Sequence, residues 1–329
     1  MAFVDDDAVP EPTWLARLIA PFGDLGVQIA GGRVLGRNGI TQQWGDRALD
    51  DWGRSHAFDA GLRRRVEGTN MALRRELLQT LGGFDPAFRF YHDETDVIWR
   101  ARLSNEHIVY VPQAVVHHAT APSPLRRADR VPRTLHELAA SQVVFQRKHT
   151  PVADHPQAWR AFACDQRARL QRHMQTGALG PEEVTALRRS MDRGAAQGRA
   201  RAIPTLGARR VSAPSVGAVL PARPQARRVM IVGWLWQARA LTRLAQQHVK
   251  QGCQVMVLRL SPTALYHHVR FMPGGYWLQS GGLFGRSVRT SPMMRIISRR
   301  RRAAMEMRRV AVLRGDSLDF DIVFVDSVL

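Results

Sequence analysis

The hydrophobic and polar positions of this chain fall into an α/β pattern that starts at the first residues and begins again near residue 228. Ala2-Phe3-Val4 is a short apolar run of the kind that ends a buried strand. Pro10-Glu11-Pro12-Thr13 then predicts a turn with Thr13 as helix N-cap, and Trp14 to Ile19 carries apolar residues at helical spacing. Residues 26–35 read as a strand broken by Gly31-Gly32. Residues 36–66 are polar and low in periodicity, which predicts a long loop. A turn around Gly68, a helix to about Leu81 and a helix from Asp93 to Asn105 follow. The apolar runs His107 to Pro112 and Ala114 to His118 predict strand. Residues 121–150 predict a basic amphipathic helix and residues 151–200 two or three helices, one starting at Gly180-Pro181-Glu182-Glu183. Residues 201–227, rich in Ala, Pro, Arg, Ser and Gly, read as a linker. Strand from Arg228, helix from Gln237 to Gln251 and strand from Gln254 to Leu260 make a βαβ unit, the mark of a parallel sheet. Residues 261–290 read as irregular, Arg299 to Arg302 as part of a basic helix, and Asp321 to Asp326 as a last strand. The expected organisation is therefore an α/β unit over 1–120, a helical extension over 121–200, a linker over 201–227 and a partial second α/β unit over 228–329.

Composition narrows the picture. At 329 residues and 45% hydrophobic content, the chain can build more than one core. With 48 Lys and Arg against 28 Asp and Glu, its formal charge of +20 predicts affinity for polyanions: phosphorylated substrates, an anionic membrane or nucleic acid. An Arg-rich coding bias accounts for the same excess. The two cysteines, Cys164 and Cys253, are far apart and form no metal-ligand spacing, which excludes a disulfide scaffold or zinc module and points to a reducing compartment. No apolar run is long enough to span a bilayer, and no signal peptide is recognisable. The second βαβ unit lacks G-x-G-x-x-G, so it has no dinucleotide fingerprint. Arg299 to Arg302 lack interleaved aromatics, so a solvated face or lipid headgroups fit them better than nucleic acid. Trp234 and Trp236 read as packing residues rather than a stacking platform.

Two acidic triplets carry the candidate chemistry. Asp5-Asp6-Asp7 follows a strand, and ligands of open α/β sheets bind beyond the carboxyl ends of strands. Magnesium and manganese favour oxygen ligands and bridge to substrate phosphates, so carboxylates there suit a metal–diphosphate site. The competing reading is a solvated turn. The second triplet, Asp93, Glu94 and Asp96, opens a helix, where the dipole alone favours carboxylates. Asp96 stands four residues before Arg100, the spacing of a helical ion pair.

The order of these motifs resembles family 2 glycosyltransferases. It runs Asp5-Asp6-Asp7, Gly68-x-Asn70-Met71-Ala72-x-Arg74-Arg75, Gly82-Gly83-Phe84-Asp85, the acidic pair Asp93-Glu94 with Asp96 and Arg100 beyond, then Pro112-x-Ala114-x-Val116-x-His118. Ser141 to His149 resembles the helix that follows the catalytic domain in bacterial members. The resemblance covers roughly residues 1–150. It implies the C-terminal portion of a GT-A fold, inverting transfer and a Mn2+ or Mg2+ cofactor. The implied metal ligands are Asp7 and His118, with Asp5 and Asp6 on the substrate side. Glu94 takes the position of the catalytic base. Members usually show Glu-Asp where this chain has Asp-Glu, so Asp93 is the alternative base. Gly68, Asn70 and Asp96 are implied to line the substrate side, with a strand-to-helix turn as the competing reading for the first two. The implied partners are a nucleotide-sugar donor, a surface-glycan or lipid-linked acceptor and peripheral contact with an anionic membrane at its cytoplasmic face. No specific nucleic acid is expected. In the family, strands forming the nucleotide-base pocket precede the first acidic motif, so the expectation is an incomplete GT-A portion, inactive by itself. The layout of the last hundred residues weakly resembles the start of a GT-B domain. The alternative function is a non-catalytic basic binding protein that keeps half an enzyme fold.

Overall fold

A computed structural model describes residues 1–118, 123–208, 226–315 and 320–325. The heart of the linker, residues 209–225, and the end of the last expected strand at Asp326 lie outside the described residues.

The first unit runs β1 (Ala2–Val4), β2 (Ala8–Pro10), α1 (Trp14–Ile19), β3 (Ile29–Leu35), β4 (Gln42–Trp44), β5 (Arg47–Leu49), β6 (Ser55–Ala57), β7 (Arg63–Arg65), β8 (Asn70–Leu73), α2 (Arg75–Thr80), α3 (Asp93–Ala101) and β9 (Ile108–His118). Its main sheet has the order β1-β8-β3-β9-β2, with β4 added on β3. β3 and β9 are parallel, while β8 is antiparallel to both β1 and β3. The chains of β1, β3 and β9 therefore run the same way, and their carboxyl ends bring Asp5 and His118 to one end of the sheet. β9 is one strand rather than two. Its register against β3 shifts between Gly32 and Arg33, where Pro112 has no N–H to give to a ladder. The Arg33 guanidinium takes up the Pro112 carbonyl, its Nε lying 2.9 Å away.

Asn70 explains the glycine break. It is fully buried: Trp14 Nε1 donates to its Oδ1 at 2.7 Å, and its Nδ2 donates to the carbonyls of Arg33 and Ala114, both at 3.0 Å. A side chain at Gly32 would put its Cβ 2.4 Å from Nδ2 of Asn70. The residue expected to shape the acceptor side is thus a structural amide with its hydrogen-bonding capacity spent inside the fold.

Residues 36–66, expected as a loop, hold β4 and a small sheet of order β6-β5-β7. Three-residue strands are too short to show periodicity. Thr13 does not cap α1; its hydroxyl donates to the Leu313 carbonyl at 2.7 Å. α3 stops at Ala101 because Arg102 turns left-handed (φ 51°).

The helical layer is α4 (His136–His149), α5 (His155–Gln175) and α6 (Pro181–Ala200). α4 is not amphipathic, since Ala139 to Gln146 are all buried between the first sheet unit and α6. Gly194 and Gly198 allow the close crossing; a Cβ on Gly194 would meet the His136 carbonyl at 2.1 Å.

The second unit contains β10 (Arg228–Trp234), α7 (Ala238–Lys250), β11 (Gln254–Ser261), β12 (His268–Met272), β13 (Tyr276–Gly282), α8 (Arg299–Arg314) and β14 (Asp321–Phe324), in the order β12-β13-β11-β10-β14. All pairings are parallel except the β12–β13 hairpin, which occupies part of the stretch expected to be irregular. Trp234 and Trp236 stack on each other at 5.2 Å. Both cysteines are free thiols. Among the described residues no helix is long and apolar enough to cross a membrane.

One buried ion cluster joins the two sheet units. Glu11, after β2, receives Arg314 Nε at 2.9 Å and Nη2 at 3.2 Å from the end of α8, and lies 2.8 Å from His117 Nε2. The His117 ring packs on Trp277 at 4.4 Å. Burial alone would raise the Glu11 pKa, but Arg314 and His117 outweigh it and pull it down to about 2. Replacing Glu11 by Gln leaves Arg314 buried without its counter-charge and should cost about 3–5 kcal/mol at neutral pH. The carboxylate's contribution is present above the ordinary value of 4.5 and is lost as pH falls through about 2. Thermal unfolding of both proteins checks this: the gap between wild type and Glu11→Gln should be wide at pH 7 and close under strong acid.

Candidate active site

Asp5 immediately follows β1, and Asp7 stands in the turn that carries the chain to β2. His118 closes β9, beside them, because β2 pairs with β9 through Ala8 and His118. One ligand atom from each of Asp5, Asp7 and His118 lies within 4.8 Å of the others. His118 Nε2 is 3.0 Å from Asp7 Oδ1 and 3.8 Å from Asp5 Oδ2. Burial lowers the His118 pKa, outweighing the two carboxylates that raise it, so the imidazole is neutral and available as a ligand at neutral pH. Two carboxylates with one imidazole suit manganese well and magnesium through the oxygens. Asp6 is exposed at the turn and stays outside the cluster.

The surroundings have an order of their own. Thr69 Oγ1 donates to Asp5 Oδ2 at 2.6 Å. Gln43 of β4 reaches His118 Nδ1 at 3.5 Å, and Arg130 bonds Gln43 Oε1. Arg126 Nη2 stands 3.4 Å from Asp7 Oδ2. Two guanidinium groups, Arg126 and Arg130, therefore stand near the cluster and act on His118 through their charge.

Glu94, in the first turn of α3, lies beside the Gly68-Thr69 turn that reaches Asp5. A Cβ on Gly68 would touch the Cβ of Glu94 at 3.8 Å, while the next residue, Thr69, holds Asp5. The Glu94 carboxylate is buried against Arg65 Nη2 at 3.4 Å, and Arg65 Nε also pairs with Glu67 at 2.9 Å. Burial pushes the Glu94 pKa up to about 8; Arg65 opposes this, and the neighbouring Glu67 and Asp93 add to it. Glu67 is raised in the same way, chiefly by burial. Asp93 is half-buried beside Glu94. α3 starts under constraint: Tyr91 (φ 67°) and His92 (φ 66°) are both left-handed without being glycine. His92 Nε2 is held 3.0 Å from Gln142 Oε1 on α4.

Asp96 does not line this site. It is fully buried and receives Arg100 Nε at 2.6 Å, Lys148 Nζ at 2.6 Å and His149 Nε2 at 2.8 Å. Lys148 also binds Asp85, so the Gly-Gly-Phe-Asp turn joins the same cluster. The substrate role implied for Asp96 gives way to the structural one its spacing from Arg100 suggests. Gly68 lies beside Glu94, but a Cβ there would sit at an ordinary contact distance of 3.8 Å, so the close approach expected of this glycine is not seen. Thr69, Gln43, Arg65, Glu67, Arg126 and Arg130 stand in no motif. The one legible trace is Arg63-x-Arg65-x-Glu67, whose alternation puts a charge pair on one face of an extended segment.

Residues 1–134 match the model of a family described as glycosyltransferase like family 2. No curated protein and no solved structure matches the chain. The first unit is thus similar to a glycosyltransferase of that family, and its mixed α/β sheet agrees with a GT-A, Rossmann-like domain.

Two outcomes are expected. Asp7→Asn should weaken manganese binding at least tenfold by titration calorimetry, because it removes a charged ligand. Glu94→Gln should raise the melting temperature by a few degrees at pH 8 to 9 and by little at pH 5. The unfolded state releases the Glu94 proton near 4.5 and the folded state only near 8, so the penalty for burying it grows across that interval and is complete above it.

Proposed function

We propose that the first unit transfers a sugar from a nucleotide-diphosphate donor to a hydroxyl of a surface-glycan or lipid-linked acceptor, with inversion, at the cytoplasmic face of a membrane. The observation that carries this reading is the turn Glu67-Gly68-Thr69. It places a carboxylate–imidazole cluster on one side, through Thr69 and Asp5, and a buried carboxylate of raised pKa on the other, through Gly68 and Glu94.

The chemistry asks for that separation. The acceptor oxygen forms a bond to the anomeric carbon as the bond from that carbon to the diphosphate oxygen breaks, and the diphosphate leaves with the electron pair. Glu94 takes the acceptor proton, and its raised pKa makes it a stronger base than an exposed carboxylate. Asp93 is the alternative base beside it. Asp5, Asp7 and His118 would hold a divalent cation, Mn2+ or Mg2+, which when bound neutralises the diphosphate charge. Arg126 and Arg130 add positive charge on the same side. The family match over residues 1–134 supports glycosyl transfer as the reaction class.

Titration of the full chain with uridine and guanosine diphosphates, with and without manganese, tests the binding half. Metal-dependent heat is expected, and its absence for both nucleotides would leave only the basic binding protein that keeps half an enzyme fold. For the chemical half, Glu94→Gln should lower transfer about 10²–10⁴-fold while nucleotide and manganese affinity stay within about twofold. Unchanged turnover in Glu94→Gln would remove Glu94 as base and pass the role to Asp93.

A further inference from the structure

The second unit carries a feature that the transfer chemistry does not use. Residues 283–297 form a tip after β13, stitched together by the Gly285–Met294 bridge and by the Arg295 N–H bond to the Phe284 carbonyl at 2.9 Å. Residues 264–267 lie against it: Tyr266 Oη contacts Met293 Sδ at 4.0 Å, and Arg286 Nη2 donates to Tyr266 Oη at 3.3 Å. Six large apolar side chains on the tip and the segment against it are exposed: Leu265, Tyr266, Val288, Met293 (68%), Met294 (59%) and Ile296 (84%). Arg289 and Arg295 stand exposed among them, and Arg286 is half-buried.

Their exposure is built in. Beneath the tip the fully buried Arg302 guanidinium donates to the carbonyls of Leu283 and Gly285 and pairs with Glu306 at 3.1 Å, while Ser287 Oγ donates to Glu306 at 2.7 Å. This corrects the expectation of a wholly solvated Arg299–Arg302 face: Arg302 is a core residue that fixes the tip from below. The base of the loop is bonded to a buried guanidinium while its apolar side chains are exposed. Contiguous exposed apolar residues of this kind mark an interaction surface.

Charge identifies the partner. Between residues 226 and 315 the chain has seventeen Lys and Arg residues and one acidic residue, Glu306, which is buried. Every formal charge this stretch shows to solvent is positive or a histidine. An apolar wedge ringed by arginines suits a surface that is negatively charged outside and apolar beneath. We infer that this tip docks the protein on an anionic lipid bilayer, with Met293, Met294 and Ile296 entering the headgroup–acyl boundary and Arg286, Arg289 and Arg295 meeting the phosphates. The tip also borders a cavity of about 400 Å³ whose other wall is Asn38, Ile40 and Thr41, on the segment leading to Gln43, whose side chain reaches His118. Docking would therefore hold the candidate site close to a membrane. The inference deepens the membrane-proximal part of the proposed function, but lipid binding needs no donor, cation or turnover, so the two fail separately.

Flotation of the full chain with vesicles of phosphatidylcholine, alone or mixed with phosphatidylglycerol, tests it. Wild type should float with the mixed vesicles at least tenfold more than with phosphatidylcholine alone. The variant Met293→Ser/Met294→Ser/Ile296→Ser alters exposed side chains only. It should lose at least tenfold of that binding while its melting temperature and its retention on heparin stay unchanged. Equal flotation of variant and wild type would overturn the inference in favour of a general polyanion surface. Absence of wild-type binding to mixed vesicles would overturn it outright, as would a wild-type dimer that the variant dissolves, since the tip would then cover a second copy.

Discussion

A carboxylate cut off from water persists as an anion only when cations surround it, and Asp96 shows what that requirement organises. Its three partners come from two places: Arg100 one turn along α3, and Lys148 and His149 at the end of α4. Lys148 also engages Asp85, so the turn before α3 is drawn into the same cluster. Bonds from His149, Lys148 and Arg100 overcome burial and keep the Asp96 pKa low. The orientation of α3, and with it the direction of Glu94, follows from this cluster. The helical layer is thus part of the site although none of its residues enters the proposed chemistry.

Glu94 shows the opposite economy. It is buried with a single guanidinium, Arg65, which it shares with Glu67. Burial raises the pKa of Glu94, the shared Arg65 opposes this only in part, and the neighbouring Glu67 and Asp93 carboxylates add to the rise. Such an arrangement sacrifices stability near neutral pH, as groups poised for proton transfer commonly do. The left-handed residues Tyr91 and His92 add local strain at the same helix start.

Neighbouring histidines divide two tasks through strand alternation. Successive side chains of β9 point to opposite faces. His118 therefore meets Asp5 and Asp7, while His117 turns to Glu11 and Trp277 at the junction with the second unit. The junction and the candidate metal cluster are consequently built on one strand end, with β2 running beside it.

Local pattern carried the helices of eight or more residues, the βαβ unit and the acidic and histidine motifs, because periodicity and motif spacing are properties of contiguous sequence. The resemblance paired Asp7 with His118 across more than a hundred positions and put Asp5 on the substrate side; only the sheet brings all three together. Partnership decided the rest. Nothing near Asn70 in sequence shows that Trp14, Arg33 and Ala114 will consume its amide, or that Thr13 will bond Leu313 rather than cap its own helix. The strands within residues 36–66 are too short to leave a period, and the ladder that defines them is set by non-local pairing. Arg302 and Ile296 reverse the expectation from composition, the charge lying buried and the hydrophobe exposed. Sequence determines which groups can bond and bury, but burial and bonding are settled between segments distant along the chain, so only the tertiary structure shows that Asp96 is neutralised by Lys148 and His149 while Glu94 is left buried with Arg65 and a raised pKa.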